Sequence, residues 1–246
     1  MPEEAPRVRH YGTPAVTARR ALKMDDQVAR ILSLLSHELR SPLGVIRGYL
    51  GLLNQSGDTL STLHRDAVKA ALRASDRAAE ILTQASTLAQ LQRSRDSIRL
   101  EPVAADALFA SAIEAVQHPA GRAVPIERGP IPPGLVRADA ARLRDALTSI
   151  AAAVVRSQTR SDRILVTADL QERANSPGIS LRIVSAAAGS SLTEAPVDLS
   201  RGGLGLDLPI ADFVIAAHGG HLTELRDGER AAGMVVWVPL TVTKSD

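Results

Sequence analysis

The strongest constraint on the fold is an apolar stripe in the first quarter of the chain. Its members recur mostly at intervals of three and four residues, which places them on one face of an α-helix. They are Val28, Ile31, Leu32, Leu35, Leu39, Leu43, Ile46, Leu50 and Leu53. Pro42 lies inside this run, and a proline there removes one backbone hydrogen bond and bends the helix. The sequence therefore predicts a long, locally bent amphipathic helix that begins near Met24.

A second apolar stripe follows a turn signal at residues 54–58. It runs from Leu60 to Leu91, is rich in alanine, and predicts a helix over about residues 59–95. Two long helices joined by a short turn form a helical hairpin. One hairpin leaves part of both stripes uncovered, whereas two hairpins packed as a four-helix bundle cover them. We therefore expect a homodimer.

The sequence pattern changes after Ser97. Short helical and alternating segments follow one another, separated by loops that contain Pro and Gly. Helices are predicted near 104–117, 139–157 and 204–217, and strands near 98–103, 163–171, 179–185, 221–225 and 234–240. This order predicts an α/β sandwich with one mixed sheet and helices on one face. The expected fold class is α+β, with a flexible arm at 1–23, the hairpin at 24–96 and the sandwich at 97–246.

Composition excludes several classes of protein. The 29 basic and 27 acidic residues leave a net charge of +2, which gives no general attraction to nucleic acid or membrane. There is no cysteine, so disulfides and thiolate metal sites are excluded, as fits a reducing cytoplasm. No apolar run approaches the roughly 20 residues of a membrane helix. The histidines show no metal-ligand spacing. We expect a cytoplasmic protein without a metal site of its own.

The eight residues from Ser36 to Leu43 carry the chemistry. They read SHELRSPL and resemble the phosphoacceptor box of bacterial two-component histidine kinases, commonly written SHELRTPL. The resemblance implies that a ring nitrogen of His37 takes up a phosphoryl group. It also implies that Glu38 holds the other ring nitrogen and accepts its proton. The alternative is that His37 is only a polar residue on a helix surface.

Ser41 lies one helical turn after His37, hence on the same face. In the family, a Thr or Asn at this position places the water that hydrolyses a phospho-aspartate on the partner protein. A serine keeps the hydroxyl but lacks the methyl group that fixes the rotamer. The resemblance therefore implies a phosphatase activity that is weakened in this chain.

Residues 97–246 resemble the ATP-binding domain that follows this hairpin in histidine kinases. Residues 136–147 match the entry to the family's asparagine-bearing helix, 203–206 match its last glycine box, and 233–240 match its closing strand. Glycines in such a box let the backbone approach a phosphate group. Gly202, Gly203 and Gly205 are the candidates here, and a purely structural turn is the other reading.

The family's magnesium and adenine groups are largely missing from this half. Ala153 stands where the family has the Asn that coordinates magnesium, and a methyl group cannot bind a cation that demands oxygen. Ser149 replaces the other Asn. Residues 184–191 contain no carboxylate, although the family's Asp at this point hydrogen-bonds the adenine amino group. The fold-defining residues remain, which indicates a domain kept for its shape and argues against autophosphorylation from ATP.

Three functions fit these patterns. In the first, the chain is a phosphotransfer protein whose His37 exchanges a phosphoryl group with the receiver Asp of a response regulator, with a cognate sensor kinase as a further partner. In the second, it is an active sensor histidine kinase that binds ATP and Mg²⁺ in an atypical site. In the third, it is a non-catalytic dimeric scaffold for receiver domains. His37 and Glu38 argue against the third, and Ala153 argues against the second.

Overall fold

The computed structural model describes seven stretches of the chain, residues 14–55, 61–93, 98–116, 124–157, 163–173, 175–198 and 206–241. Within 14–34, only the side chain of Leu32 is described. The chain divides into two compact units, Met1–Ser94 and Arg95–Asp246.

The first unit is a helical hairpin, as predicted. Helix α1 spans Pro14–Gln55 and packs along helix α2, Thr62–Arg93. An ion pair from Arg47 Nε to Asp76 Oδ1, at 3.1 Å, joins the two helices midway. Helix α1 begins ten residues before Met24, where its apolar stripe starts. Proline is favoured at the start of a helix, and residues 15–23 are mostly good helix formers, so no apolar stripe is needed to extend the helix.

Helix α1 presents a line of apolar side chains to solvent, here called the α1 seam. Its members follow one another at alternating intervals of four and three residues, the spacing of a helix that packs into a bundle. The seam consists of Leu35, Leu39, Pro42, Ile46, Tyr49 and Leu53, all of them exposed. Tyr49, for example, keeps 67% of its surface accessible. On helix α2, Leu63 and Ile81 are likewise exposed.

The second unit is an α/β sandwich, which confirms the predicted fold class. Its strands are β1 Glu101–Ala104, β2 Ile126–Arg128, β3 Leu135–Ala138, β4 Ile164–Arg173, β5 Ser176–Ser185, β6 Thr193–Pro196, β7 His221–Asp227 and β8 Arg230–Pro239. Its helices are α3 Ala105–Glu114, α4 Ala140–Ser157 and α5 Asp207–Ala217.

Six strands form the main sheet in the order β2-β4-β5-β8-β7-β6, while β1 and β3 pair separately. Only β2 and β4 run parallel, so the sheet is mixed. The strand register sets Leu181, Val236 and Leu222 side by side, and all three are buried. Helix α4 packs against β5 and β8, and α5 packs against β7. The sheet and the helices thereby enclose one apolar core.

The indole of Trp237 lies on the sheet. It is 3% exposed, and a β-carbon at Gly178 on the neighbouring strand would collide with the ring. Its Nε1 donates to the carbonyl of Gln171 at 3.3 Å, and the imidazole of His221 stacks on it with ring centroids 5.8 Å apart. Gly178 is therefore required because no other residue leaves room for the indole.

Three strands fall in segments for which the sequence predicts neither a helix nor a strand. Strands β2 and β6 have three and four residues, and β3 has four. Alternation over so few residues gives no periodic signal, and each strand forms because a neighbour supplies its backbone partners. Strand β3 pairs with β1, and β6 pairs with β7 at the edge of the main sheet. Among the described helices, none combines the length and the apolar character needed to cross a bilayer.

Candidate functional site

His37 projects from α1 into solvent. Its side chain is 80% exposed and that of Glu38 is 68% exposed. The Nδ1 atom of His37 lies 3.5 Å from Oε1 of Glu38. This contact directs Nδ1 toward the carboxylate and leaves Nε2 as the ring nitrogen that an incoming group can reach. A neutral imidazole in this arrangement is a nucleophile with a base beside its second nitrogen.

Ser41 is exposed one helical turn from His37. Further along the helix come Gly44 and Gly48. A β-carbon built on either glycine would meet no atom within 4 Å, so the helix is open at these two positions. The three site residues predicted on α1 thus lie together on an open, smooth part of the helix.

Ser36, immediately before His37, is different from its neighbours. It is 1% exposed, and no other α1 side chain that the structure describes is buried. Its hydroxyl donates to the carbonyl of Leu32, one turn earlier, at 2.8 Å. A serine that bonds back to the preceding turn competes with the backbone for that carbonyl.

The magnesium site implied by the family does not fit the residues of α4. The side chain of Ala153 is a methyl group that is 2% exposed, so position 153 offers no oxygen. Ser149, one turn earlier, supplies at most a neutral hydroxyl, whereas Mg²⁺ in proteins is held by carboxylates and other oxygen ligands in an octahedral set. Within the described residues, no group of three His, Cys, Asp or Glu side chains is placed to hold a metal ion.

The part of the family's site that binds adenine also differs in this chain. It corresponds to the connection between β5 and α5. Residues 185–192 carry no carboxylate. The Ser185 hydroxyl accepts the N–H of Ala187 at 3.3 Å, and the Ala186 N–H donates to the Arg163 carbonyl at 3.1 Å. The turn is therefore satisfied by its own backbone and by β4, and it presents no charged acceptor to a base.

The same connection is fixed to the sheet at two points. The Gly189 N–H donates to Oδ2 of Asp227 at 2.8 Å. Arg173 Nη2 donates to both carboxylate oxygens of Glu194, at 2.8 and 3.0 Å, and the Thr223 hydroxyl donates at 3.1 Å. Partial burial opposes ionisation of Glu194, but the bonds from Arg173 and Thr223 outweigh it and lower the pKa of this carboxyl. We call Arg173, Glu194 and Thr223 the clasp.

The predicted phosphate-loop residues Gly202, Gly203 and Gly205 lie outside the described residues. Helix α5 begins just after them, at Asp207, whose carboxylate occupies the first turn. Asp207 Oδ2 is 3.9 Å from Arg156 Nη2 on α4. The positive end of a helix dipole favours an anion, and here the chain's own carboxylate already supplies it. Asp207 is not among the site residues predicted from the sequence, although an acidic residue in the first turn of a predicted helix is a recognisable signal.

His218 has a structural role at the end of α5. It is 5% exposed, its Nδ1 lies 2.7 Å from the carbonyl of Val214, and its Nε2 accepts the N–H of Asp139 at 3.0 Å. Because Nε2 accepts, the hydrogen is on Nδ1 and the ring is neutral. Both nitrogens are engaged, which explains why this histidine is a cap and not a metal ligand.

Known proteins share these features. Residues 27–94 match the His Kinase A (phospho-acceptor) domain. The probable sensor histidine kinase TcrY of Mycobacterium tuberculosis is 30% identical over 227 residues, which cover 85% of this chain and 45% of that protein.

Among solved structures, the fold is similar to the crystal structure of full-length ShkA in complex with AMPPNP. The TM-score is 0.57 and the identity 24%, over 89% of this chain and 47% of that one. The chain thus spans about half the length of the relatives that it matches. With the phosphoacceptor octet, the hairpin and the sandwich in family order, the chain belongs to the HisKA-type histidine kinase family of two-component signalling.

Proposed function

We propose that this chain is a phosphotransfer protein of two-component signalling, which receives a phosphoryl group on His37 from the aspartyl phosphate of a receiver domain and can return it. The observation that carries the proposal is a contrast between the two units. The first unit holds an exposed, correctly supported acceptor histidine, whereas the second lacks the oxygen ligands and the carboxylate on which Mg²⁺ and adenine recognition depend.

The transfer step follows from the geometry of His37. The Nε2 lone pair attacks phosphorus, the new N–P bond forms, and the P–O bond to the receiver's aspartyl oxygen breaks. The departing carboxylate keeps the electron pair of that bond. The imidazole becomes positively charged in the process, and the Nδ1 proton can pass to Glu38, whose Oε1 lies 3.5 Å away. Reversal regenerates the aspartyl phosphate and the neutral ring.

Accessibility favours a protein donor. The α1 surface from His37 through Ser41 to Gly44 and Gly48 is exposed and lacks bulky side chains, so a receiver domain can approach along it. Receiver domains are the partners of the acceptor helix in this family. We therefore infer that a receiver docks on the hairpin and brings its phosphorylated Asp to Nε2 of His37.

Three features of the second unit argue against ATP as the donor. Ala153 gives no ligand for Mg²⁺, residues 185–192 give no carboxylate for adenine, and Asp207 puts a negative charge at the helix end where a phosphate would bind. Restoring only one of these groups leaves the other two defects, so a single change is not expected to create an ATP site.

We further infer that the working form is a homodimer. The α1 seam exposes apolar side chains at bundle spacing, and α2 exposes Leu63 and Ile81. A continuous exposed apolar surface of this kind marks a protein interface. A second copy supplies the same spacing, and an isologous four-helix bundle buries both seams at once.

The test compares two phosphoryl donors. The full chain and its His37→Ala variant are incubated with radiolabelled ATP and Mg²⁺, and separately with a panel of receiver domains labelled by acetyl phosphate. We expect acid-labile label on the wild-type chain from at least one receiver, none from ATP, and none on the variant. Label on His37 from ATP would establish an active kinase and overturn the proposal.

A second candidate function is the dimeric scaffold. It is favoured only if no receiver labels the chain while receivers still bind it. Titration of unphosphorylated receivers against wild type and His37→Ala, followed by fluorescence anisotropy, separates the two. Equal binding without transfer would support the scaffold, and transfer that requires His37 would exclude it.

A further inference from the structure

The hydroxyl of Ser36 indicates a role for this residue beside His37. This role rests on the proposed phosphotransfer to His37. Ser36 is a polar residue buried to 99% of its surface within a helix whose other described side chains remain accessible. Such burial requires a hydrogen bond, and the hydroxyl makes it to the carbonyl of Leu32 at 2.8 Å. The bond therefore satisfies Ser36 and adds a side-chain donor to a carbonyl of the turn that precedes His37, which departs from the purely backbone bonding of a regular helix.

A second irregularity lies on the other side of His37. Pro42 has no N–H, so it cannot donate to the carbonyl of Glu38, its partner in a regular helix. The Ser36 bond on one side and Pro42 on the other bound a short segment. That segment contains His37, Glu38 and Ser41, which are the residues proposed to act on the phosphoryl group.

Helix α2 carries bonds of the same kind at the same level. The Thr83 hydroxyl donates to the Ala79 carbonyl at 3.0 Å, and the Thr87 hydroxyl donates to the Thr83 carbonyl at 3.1 Å. Counting outward by equal numbers of residues from the Arg47–Asp76 ion pair brings Ser36 opposite Thr87, because both helices rise equally per residue. Hydroxyl-to-carbonyl bonds of this kind therefore occur in both helices at the height of His37, and the bond of Ser36 is the one that adjoins the histidine in the chain.

We infer that Ser36 is a positioning residue for the phosphotransfer: its bond to Leu32 holds the turn of α1 on the N-terminal side of His37 and so fixes the direction in which the imidazole points. The residue touches no reacting atom. Its effect on the reaction passes through the backbone of the turn that carries His37, and a misplacement of about 1 Å at a reacting group is enough to slow a reaction strongly.

The test uses the full-length chain with three substitutions. Ser36→Ala removes the bond, and Ser36→Thr keeps a hydroxyl that can make it, as Thr83 and Thr87 do on α2. Thr87→Ala is the matched control, because it removes a bond of the same type at the same level of the hairpin but away from His37. Transfer from a labelled receiver is followed over a range of receiver concentrations, and amide hydrogen exchange is measured for residues 32–41.

We expect Ser36→Ala to lower the maximal transfer rate about ten-fold or more, with the half-saturating receiver concentration unchanged. Ser36→Thr and Thr87→Ala should remain within about three-fold of wild type, since neither alters the turn before His37. Exchange at residues 36–41 should change in Ser36→Ala and not in Thr87→Ala. A Ser36→Ala protein that transfers at the wild-type rate would overturn the assignment, as would equal losses in Ser36→Ala and Thr87→Ala.

Failure of the proposed function gives a different result. If no receiver labels the wild-type chain, the donor assignment fails, but the exchange measurement still applies to the Ser36 bond. Altered exchange at residues 36–41 in Ser36→Ala alone then supports the role of the Ser36 bond in holding this turn, and an unchanged profile overturns it.

Discussion

The Nε2 atom of His218 accepts the backbone N–H of Asp139 at 3.0 Å. This bond ties the C-terminal end of α5 to the N-terminal end of α4, although the two residues are far apart in sequence. Asp139 also caps α4, because its Oδ1 accepts the N–H of Arg142 at 3.2 Å. One buried imidazole thus joins two helix ends and satisfies backbone groups at both.

Replacing His218 by Ala should destabilise the second unit. The change leaves the partly buried Asp139 N–H without its acceptor and removes the packing of a buried imidazole, a loss of about 2 kcal/mol. Urea unfolding followed by the fluorescence of Trp237, which is buried in the same unit, measures it. His64→Ala is the control, because His64 is exposed at the start of α2 beside Ser61, and it should leave the midpoint nearly unchanged. Equal midpoints for wild type and His218→Ala would contradict the capping role.

Charging the α1 seam should separate the proposed dimer. Ile46→Asp puts a carboxylate into an interface that the second copy would dehydrate, and an unpaired buried charge costs several kcal/mol. Gln55→Asp adds the same charge on the same helix, outside the seam. Light scattering after size-exclusion chromatography should give the monomer mass for Ile46→Asp and the dimer mass for wild type and Gln55→Asp. A wild-type monomer at micromolar concentration would refute the bundle.

Ser41→Thr should raise the rate at which the chain dephosphorylates a receiver. The added methyl group restricts the rotamer of the hydroxyl, and position 41 lies one turn from His37. We expect a gain of about three- to ten-fold in the loss of receiver phosphate at saturating chain, on the order of 1 kcal/mol in the barrier. Ser41→Ala should abolish the residual activity. If Ser41→Ala retains the full wild-type rate, the hydroxyl has no role in hydrolysis.

The clasp should make part of the stability of the second unit dependent on pH. The folded-state pKa of Glu194 is lowered, because its bonds from Arg173 and Thr223 outweigh the opposing effect of burial. Its contribution is therefore present above the ordinary glutamate pKa of about 4.3 and is lost as the pH falls through the lower, folded-state value. Glu194→Gln should be less stable than wild type at pH 7, and the difference should shrink toward zero in acid.

The control for this prediction is the ion pair between Arg163 Nη1 and Glu127 Oε1, at 2.9 Å. Both side chains are 52% exposed, whereas those of Arg173 and Glu194 are 29% and 34% exposed. Solvent weakens exposed pairs, so Glu127→Gln should change stability little at any pH. A constant difference between wild type and Glu194→Gln from neutral pH to acid would rule out the clasp as its source.

The helices and long strands follow from sequence because their signals are local. The apolar period of three and four predicts α1 and α2, and alternation predicts β4. Strand β6 cannot be predicted in this way, since its four residues are held by pairing with β7 and by the bond from Arg173 to Glu194. These partners are remote in the chain and meet only when the sheet forms.

The residues of the candidate site also divide into those with a local sequence signal and those whose contacts form only in the folded chain. His37, Glu38 and Ser41 are found from the octet because their chemistry depends on consecutive positions in one helix. The roles of Ser36 and Asp207 depend on burial and on contacts with Leu32 and Arg156, which the sequence does not reveal. The role of a charged or hydroxyl group depends on the residues that surround it in the folded chain.

Trp237 is the only tryptophan in the sequence, and it lies deep in the second unit against Gly178. Its fluorescence is therefore an intrinsic reporter for one unit, while the ellipticity of the long helices comes mainly from the other. Two optical signals recorded in one denaturation experiment can thus follow the hairpin and the sandwich separately, without a label. Coincident curves would mean that the two units unfold as one cooperative body, and separated curves that each is stable in its own right.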